Sequence, residues 1–334
     1  MSKKSRFKKW LRQQNEEEFK EEKKEIKKEE TIHEVKHRNL LMNIYDKHYK
    51  KLLIVSFALL LFAIIVIGIK YAQTGEFFKK SVDIQGGISI TLSSDSYIDI
   101  SKLQNTLSSD FNQNDINIRT LSAAGKQTGI IVDIDIDLND KENTEKLINA
   151  IRKELNLELK QGEYTIAGIG SSLGKSFFKG ALLALLVAFI AMSIIVFLSF
   201  RILVPSLAVI LCAFSDIITT LAVVDLIGMR ISTAGIAAFL MLIGYSVDTD
   251  ILLSTRVLKR KEGSVLDKTI DAAKTGLMMS LTAIAAVLIA LIFTQSSVLK
   301  EIMIIIIIGL LADIIYTWIQ NAGILRWYLQ RKNV

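Results

Sequence analysis

The stretch GYSVDTDILLSTRV, residues 244–257, continues directly from ISTAGIAAFLMLI, residues 231–243. Asp248 and Asp250 therefore stand a few residues inside a run apolar enough for lipid. Inserting each carboxylate there costs roughly 2.5–3.5 kcal/mol. A chain that carries acids at such a depth is either a soluble protein with an unusual core or a membrane protein with a use for charge. The rest of the sequence decides between the two.

The chain has 334 residues, of which 51% are hydrophobic and only one is proline, and its mean hydropathy is +0.38. Crossing a bilayer takes about 20 consecutive apolar residues. Six stretches qualify: Leu52–Ile69, Gly180–Phe200, Ile202–Val224, Ile231–Leu253, Leu277–Phe293 and Ile302–Leu325. The class is a polytopic membrane protein. The single cysteine, Cys212, lies in one of these stretches, which excludes a disulfide framework and a cysteine metal site. All three histidines (His33, His37, His48) precede the first stretch, so no imidazole can relay protons through the membrane part. The residues suggest no metal, cofactor or nucleic-acid site, and no catalytic constellation.

Residues 1–51 form a charged tail with 16 lysines and arginines against 10 acidic residues. Its mixed Glu/Lys blocks read as a solvated cytoplasmic segment, and it is too long for the basic end of a cleavable signal peptide. Basic residues in short loops mark the cytoplasmic side. The tail, Arg201, the Arg256–Lys261 loop and Arg326, Arg331 and Lys332 all fall on one side. The expected organisation is then a cytoplasmic tail (1–51), a first span (52–69), an extracytoplasmic domain (70–179), a five-helix bundle (180–325) and a cytoplasmic C-terminus (326–334). The protein is expected in the cytoplasmic membrane, with both termini inside and the large domain outside.

Residues 70–179 read as an α+β domain. VDIQGGISITL is a strand interrupted by Gly-Gly, SKLQNTLSSDF a short helix, and INIRTLSAAGKQTGIIVDIDIDL two strands around a turn. TEKLINAIRKELNL is an amphipathic helix with Leu147, Ile151 and Leu155 on one face, and EYTIAGIG is a last strand. The order βαββαβ predicts a split βαβ, ferredoxin-like domain. Two attractive motifs fail on spacing. GIGSSLGKS (168–176) has Ile169 where a phosphate-binding loop needs its first glycine. Asp133, Asp135 and Asp137 lack the later glycine and glutamate of a calcium loop, and their alternation with Val132, Ile134 and Ile136 says half-buried strand with its polar face out.

Two further aspartates lie within apolar runs, Asp216 in LCAFSDIITTLAVV and Asp313 in IIIIIGLLADIIYTWIQ. At 1.5 Å per residue, Asp248 lies about 12 Å up the helix from Arg256, close to the middle of a core about 30 Å thick. Asp216 and Asp313 lie at a similar depth. Asp248 and Asp250 point about 200° apart on a helix, so at most one can face the other two acids. No lysine or arginine lies in the core of any span; Arg201, Arg256 and Lys274 stand at the cytoplasmic edge. Burial without a countercharge disfavours the ionised form of a carboxylate. Acids so placed hold a proton at rest and release it when water or a cation arrives. Ser215, Thr219, Ser246, Thr249, Ser280, Thr282 and Tyr316 are within reach as hydrogen-bond partners. The plainer alternative is hydroxyl-paired glue between helices. Asp216, Asp248, Asp250 and Asp313 are the cation-relay candidates, with Arg201, Arg256 and Lys274 as basic candidates at the edge.

Several of these stretches resemble the SecD/SecF family of protein-export membrane subunits, and within it the SecF type in its archaeal form. VDIQGG (82–87) resembles the Asp-x-x-Gly-Gly stretch that opens the family's outer domain, which singles out Asp83, Gly86 and Gly87. GSSLGKSFFKGALLALL (170–186), FRILVPSLAVILCAFSDIITT (200–220), GYSVDTDILLSTRV and KTGLMMSLTAIAAVL (274–288) resemble the second to fifth spans. The bacterial motif reads Gly-Tyr-Ser-x-Asn-Asp, so its aspartate aligns with Thr249, between Asp248 and Asp250. The charged tail is outside the shared pattern.

The resemblance implies an α-helical membrane protein of six transmembrane helices, half of an RND-like transporter, with one extracytoplasmic α+β domain. It also implies SecD as the partner supplying the other half and any missing membrane cation. The implied function is a non-enzymatic accessory to the Sec translocon channel that promotes preprotein translocation, coupled to a proton gradient through the aspartates. An exporter half for lipids or small molecules and a passive scaffold for SecD are the rival readings. The implied partners are SecD, the translocon channel, the translocating preprotein and membrane lipids. Gly86-Gly87 is expected to supply a bulge or a close approach of backbones within the outer domain.

Overall fold

The structure is a computed structural model, and it describes residues 48–94, 97–111, 115–123, 126–136, 140–155, 164–260 and 264–332. Almost all of the charged tail, Asp137 and the last two residues lie outside that range. The chain enters on helix α1 (His48–Thr74), which ends at Gly75 in a left-handed conformation (φ 72°).

A short helix α2 (Val82–Gln85) follows, where the sequence predicts the start of a strand. Ser81 accepts from the amides of Ile84 and Gln85 and closes a single turn. Gly86 (φ 92°) and Gly87 (φ 135°) then turn the chain through conformations open to glycine alone. Only then does β1 (Gly87–Ser93) begin, followed by α3 (Ile100–Asp110), β2 (Ile116–Ala123), β3 (Lys126–Ile134), α4 (Lys141–Leu155) and β4 (Tyr164–Ile169). The sheet order is β2-β3-β1-β4, and every neighbouring pair is antiparallel.

One face of this sheet makes the domain's apolar core. Ile88, Ile90 and Leu92 of β1 and Ile130, Val132 and Ile134 of β3 pack with Leu103 and Leu107 of α3 and Leu147 and Ile151 of α4. Burying each such side chain stabilises the fold by roughly 1.5–3 kcal/mol. Asp99 caps α3 by accepting from the amides of Ser101 (2.9 Å) and Lys102 (3.2 Å). The other face departs from the expected solvent-facing polarity. Asp133 is buried, and it accepts from Arg119 (2.7 Å) and from the Ser89 hydroxyl (2.7 Å). The two ends of β2 are tied to the membrane helices: Lys300 donates to the Ser122 carbonyl (2.6 Å), and Arg230 pairs with Asp115 (2.6 Å).

The remaining helices are α5 (Ser171–Phe200), α6 (Leu203–Leu226), α7 (Thr233–Lys259), α8 (Val265–Phe293) and α9 (Ser297–Ile315). A π-helical turn (Tyr316–Asn321) follows α9 and runs into α10 (Ala322–Lys332). With α1, and with Ser297–Arg331 counted as one span, six helices are long and apolar enough to cross a membrane. Helices α7, α8 and α9 begin at side-chain caps, on Ser232, Ser264 and Ser296. Helix α8 starts at a reciprocal cap between Ser264 and Asp267, well before Leu277. About half of the apolar window is buried inside the molecule for α6, α7 and the last span (56%, 56% and 50%), against 11% for α5 and 17% for α8. Helix α7 packs Ile236, Phe239 and Leu242 against Ile305 and Leu310 of α9. Gly309 makes room for the Leu242 side chain. Polar groups sheltered from lipid can therefore be housed between α6, α7 and the last span.

Candidate functional site

Asp216 of α6, Asp250 of α7 and Asp313 of α9 are all fully buried, one on each of those three interior helices. Asp248 is exposed. The 200° between Asp248 and Asp250 is settled by the face of α7 that meets the last span: Ser246, Thr249, Asp250 and Leu253 are buried at the i, i+3, i+4, i+7 spacing of one face. Asp248 thus drops out of the carboxylate set. Thr249, which aligns with the bacterial aspartate, faces that set with its hydroxyl.

Hydroxyls join the carboxylates. The Thr249 hydroxyl faces both oxygens of Asp313 (3.0 and 3.1 Å). The Thr317 hydroxyl lies 3.0 Å from Asp250 Oδ1 and 2.9 Å from Asp313 Oδ1, so it bridges two spans. Asn321 donates to Asp250 Oδ1 (2.7 Å), and Ser246 donates to Asp216. At the margins Thr219 and the Tyr316 hydroxyl share a hydrogen bond (2.6 Å), Gln320 donates to Ser215 (3.2 Å), and the Cys212 thiol lies 3.7 Å from the Thr317 hydroxyl. Among the described residues none of the three carboxylates has an ion-pair partner.

Thr317, Gln320 and Asn321 were not singled out from the sequence, although a signal exists. They follow Asp313 at i+4, i+7 and i+8, one helical face. The π-helical turn, a geometry found mostly at functional sites, carries all three. Two residues counted as possible partners do not take part. Thr282 donates to the carbonyls of Met278 and Met279, and Ser280 lies buried on α8 with no hydrogen-bond partner among the described residues. The edge cations also stay away. Arg256 donates to the Asp271 carbonyl (2.7 Å), while Arg201 and Lys274 are exposed.

The Asp83, Gly86 and Gly87 motif does more than shape the α/β domain. Gly86 sits against the backbone of Ser171 at the start of α5, and a Cβ on Gly174 of that helix would lie 2.8 Å from the Ile84 carbonyl oxygen. The close approach expected within the outer domain is made by Gly87, against the Ile134 carbonyl of β3, and Gly86 adds a second one that joins the domain to a membrane helix. Asp83 accepts from both the amide (2.7 Å) and the hydroxyl of Thr233, the first residue of α7. Buried Glu301 of α9 accepts from the amide of Ser232 (2.7 Å), and the Ser232 hydroxyl caps Gly235 (3.1 Å). Two carboxylates from two elements thus hold the amino end of the helix that carries Asp250. Removing a capping acceptor costs about 1 kcal/mol. Asp83→Ala is therefore expected to lower the thermal midpoint of the purified protein modestly, and Asp83→Asn, which keeps an acceptor oxygen, to lower it less. Equal midpoints for Asp83→Ala and the parent would remove this grip.

Six apolar helices, an α/β domain between the first and second, and acids buried at the heart of the bundle define a multi-pass membrane protein built around internal charge. Residues 150–331 match the family model described as "Protein export membrane protein SecD/SecF, C-terminal". The chain is 37% identical over 286 residues to the protein-export membrane protein SecF of Pyrococcus furiosus, covering 85% of this chain and 92% of that protein. It is 39% identical over 288 residues to SecF of Methanocaldococcus jannaschii, covering 85% and 96%. The chain belongs to the SecF family of protein-export membrane proteins. In fold it is similar to the crystal structure of SecDF, a translocon-associated membrane protein from Thermus thermophilus, with a TM-score of 0.65 at 19% identity over 87% of this chain. It spans 42% of that longer chain.

Proposed function

We propose that this protein is an accessory subunit of Sec-dependent protein export that works beside a SecD partner and couples a proton gradient to movement of its α/β domain. In this reading the protein is half of an RND-like assembly. The domain is ferredoxin-like and extracytoplasmic, both termini are cytoplasmic, and no covalent catalysis is involved. SecD completes the membrane part, the translocon channel and the emerging preprotein are the neighbours, and lipid surrounds the bundle.

The observation that carries the reading is a count of hydrogens. The Thr317 hydroxyl has one proton to give, yet two carboxylate oxygens lie within hydrogen-bond distance of it, at 3.0 and 2.9 Å. If both carboxylates were ionised, one contact would set two lone pairs against each other in a low-dielectric interior, where such a conflict is costly. One proton on Asp250 or Asp313 removes it. That carboxyl then donates to Thr317, and Thr317 donates to the other. Reversing the chain moves a proton from the last span to α7 without any side chain travelling far. The amino end of α7 is held by Asp83 of the domain and Glu301 of α9. A change of charge at Asp250 therefore acts on a rod whose far end is fastened to the domain.

The hydroxyl is tested by Thr317→Val, which keeps the shape and removes the donor, and Thr317→Ser, which restores it. Gradient-stimulated export is expected to fall about tenfold or more with Val and to return with Ser, while export in the absence of a gradient is unchanged. Full gradient response with Val would leave the hydroxyl as packing. Export that responds to no gradient in the parent would remove the coupling and leave the scaffold reading.

A further inference from the structure

We propose that the groove between α5 and α6 at the domain side of the bundle is a binding site for an anionic membrane lipid, with its phosphate at Lys175 and Lys179 and one hydrocarbon chain along α5. A cavity of about 650 Å³ runs there, lined by Leu182, Leu186 and Phe189 of α5 and Phe214 and Ile217 of α6, with Lys179 at its rim. Apart from that lysine its walls are hydrocarbon.

Lys175 stands one turn before Lys179 on the same face of α5. Both are exposed, and neither is in an ion pair among the described residues. Lys175 also borders a polar hollow of about 470 Å³ with Lys80, Gln85 and Gly86. The acids of that hollow are already engaged: Glu76 pairs with Lys80 (2.7 Å), and Asp135 accepts from the Asp115 amide (2.8 Å). The two lysines are thus the open cations above an apolar channel.

The dimensions match one leaflet. Lys179 to Phe189 is ten residues, or about 15 Å of helix, and half of a hydrocarbon core about 30 Å thick is about 15 Å. Only 11% of the apolar window of α5 is buried inside the molecule, so this side of the helix is open to lipid. A transmembrane helix of a partner fits the apolar strip that continues along α5 through Ile190, Ile194 and Leu198. It would gain nothing from two desolvated lysines at one end. A phosphate with a chain beneath it satisfies both.

The test uses the full chain in detergent, titrated by native mass spectrometry with phosphatidylglycerol and with phosphatidylcholine of identical chains. The phosphatidylglycerol adduct is expected to form at lower lipid concentration, and the preference to fall about fivefold for each of Lys175→Gln and Lys179→Gln. Leu186→Trp, which fills the channel, should weaken both lipids. Equal binding of the two lipids by the parent, or a preference that survives the double lysine substitution, overturns the site. In membranes, Leu186→Cys carrying a benzophenone should capture lipid, since the one native cysteine is buried. Capture of a protein segment there would overturn the lipid as occupant.

Discussion

Asp313→Asn is expected to abolish the gradient-dependent part of export, a loss of about tenfold or more, while the protein inserts and folds normally. The amide keeps the size of the side chain and an oxygen that can accept from Thr249 and Thr317, so packing between α7 and α9 survives. What disappears is the acid that exchanges a proton through Thr317. Asp250→Asn should match it. The double substitution should be no worse than either alone, because groups joined through one hydroxyl do not contribute additively. Asp248→Asn is the internal control. Its side chain is exposed on the far side of α7, so activity should stay within about twofold of the parent, as for surface substitutions away from special features. The measurement is export into vesicles or cells with and without an imposed proton gradient. Unimpaired gradient response in Asp313→Asn would leave the buried acids as hydroxyl-paired glue.

Gly87→Val should destabilise the α/β domain by about 3–5 kcal/mol, at the severe end for a single substitution. Two causes add. The backbone at Gly87 sits at φ 135°, a strained conformation for a residue with a Cβ, costing about 1–3 kcal/mol. A Cβ there would also collide with the carbonyl oxygen of Ile134, on the strand that pairs with β1 in the middle of the sheet. Gly75→Ala separates the causes. Gly75 also has positive φ (72°), but no atom lies within 4 Å of where its Cβ would stand, so only the strain remains. Limited proteolysis should show rapid cleavage between β1 and β4 in Gly87→Val and a nearly normal pattern in Gly75→Ala. Comparable resistance in both would show that the sheet tolerates the intrusion.

Much of this protein is legible in its sequence. The six spans are, because a segment that buries its backbone in lipid must be helical and apolar for its full length, and such runs announce themselves. The order of helices and strands in the domain is legible too, through period-2 alternation in Ile88, Ile90 and Leu92 and helical spacing in Leu147, Ile148 and Ile151. VDIQ misled because apolar alternation over four residues does not separate a strand from one helical turn. The deciding factor is the positive φ at Gly86 and Gly87. Asp133 misled because its alternation is the same whether the second face of the sheet meets water or Arg119.

The sequence alone determined that three of the six spans carry acids within their apolar runs and that no lysine or arginine lies in the core of any span, since hydropathy is a local property. Only the tertiary structure decided which acids meet. Asp250 rather than Asp248 faces Asp313, Thr317 stands between them, and Asp83 reaches across 150 residues to the start of α7. Those outcomes depend on the rotation of each helix about its axis. Packing against neighbours sets that rotation, and no single helix's sequence contains it.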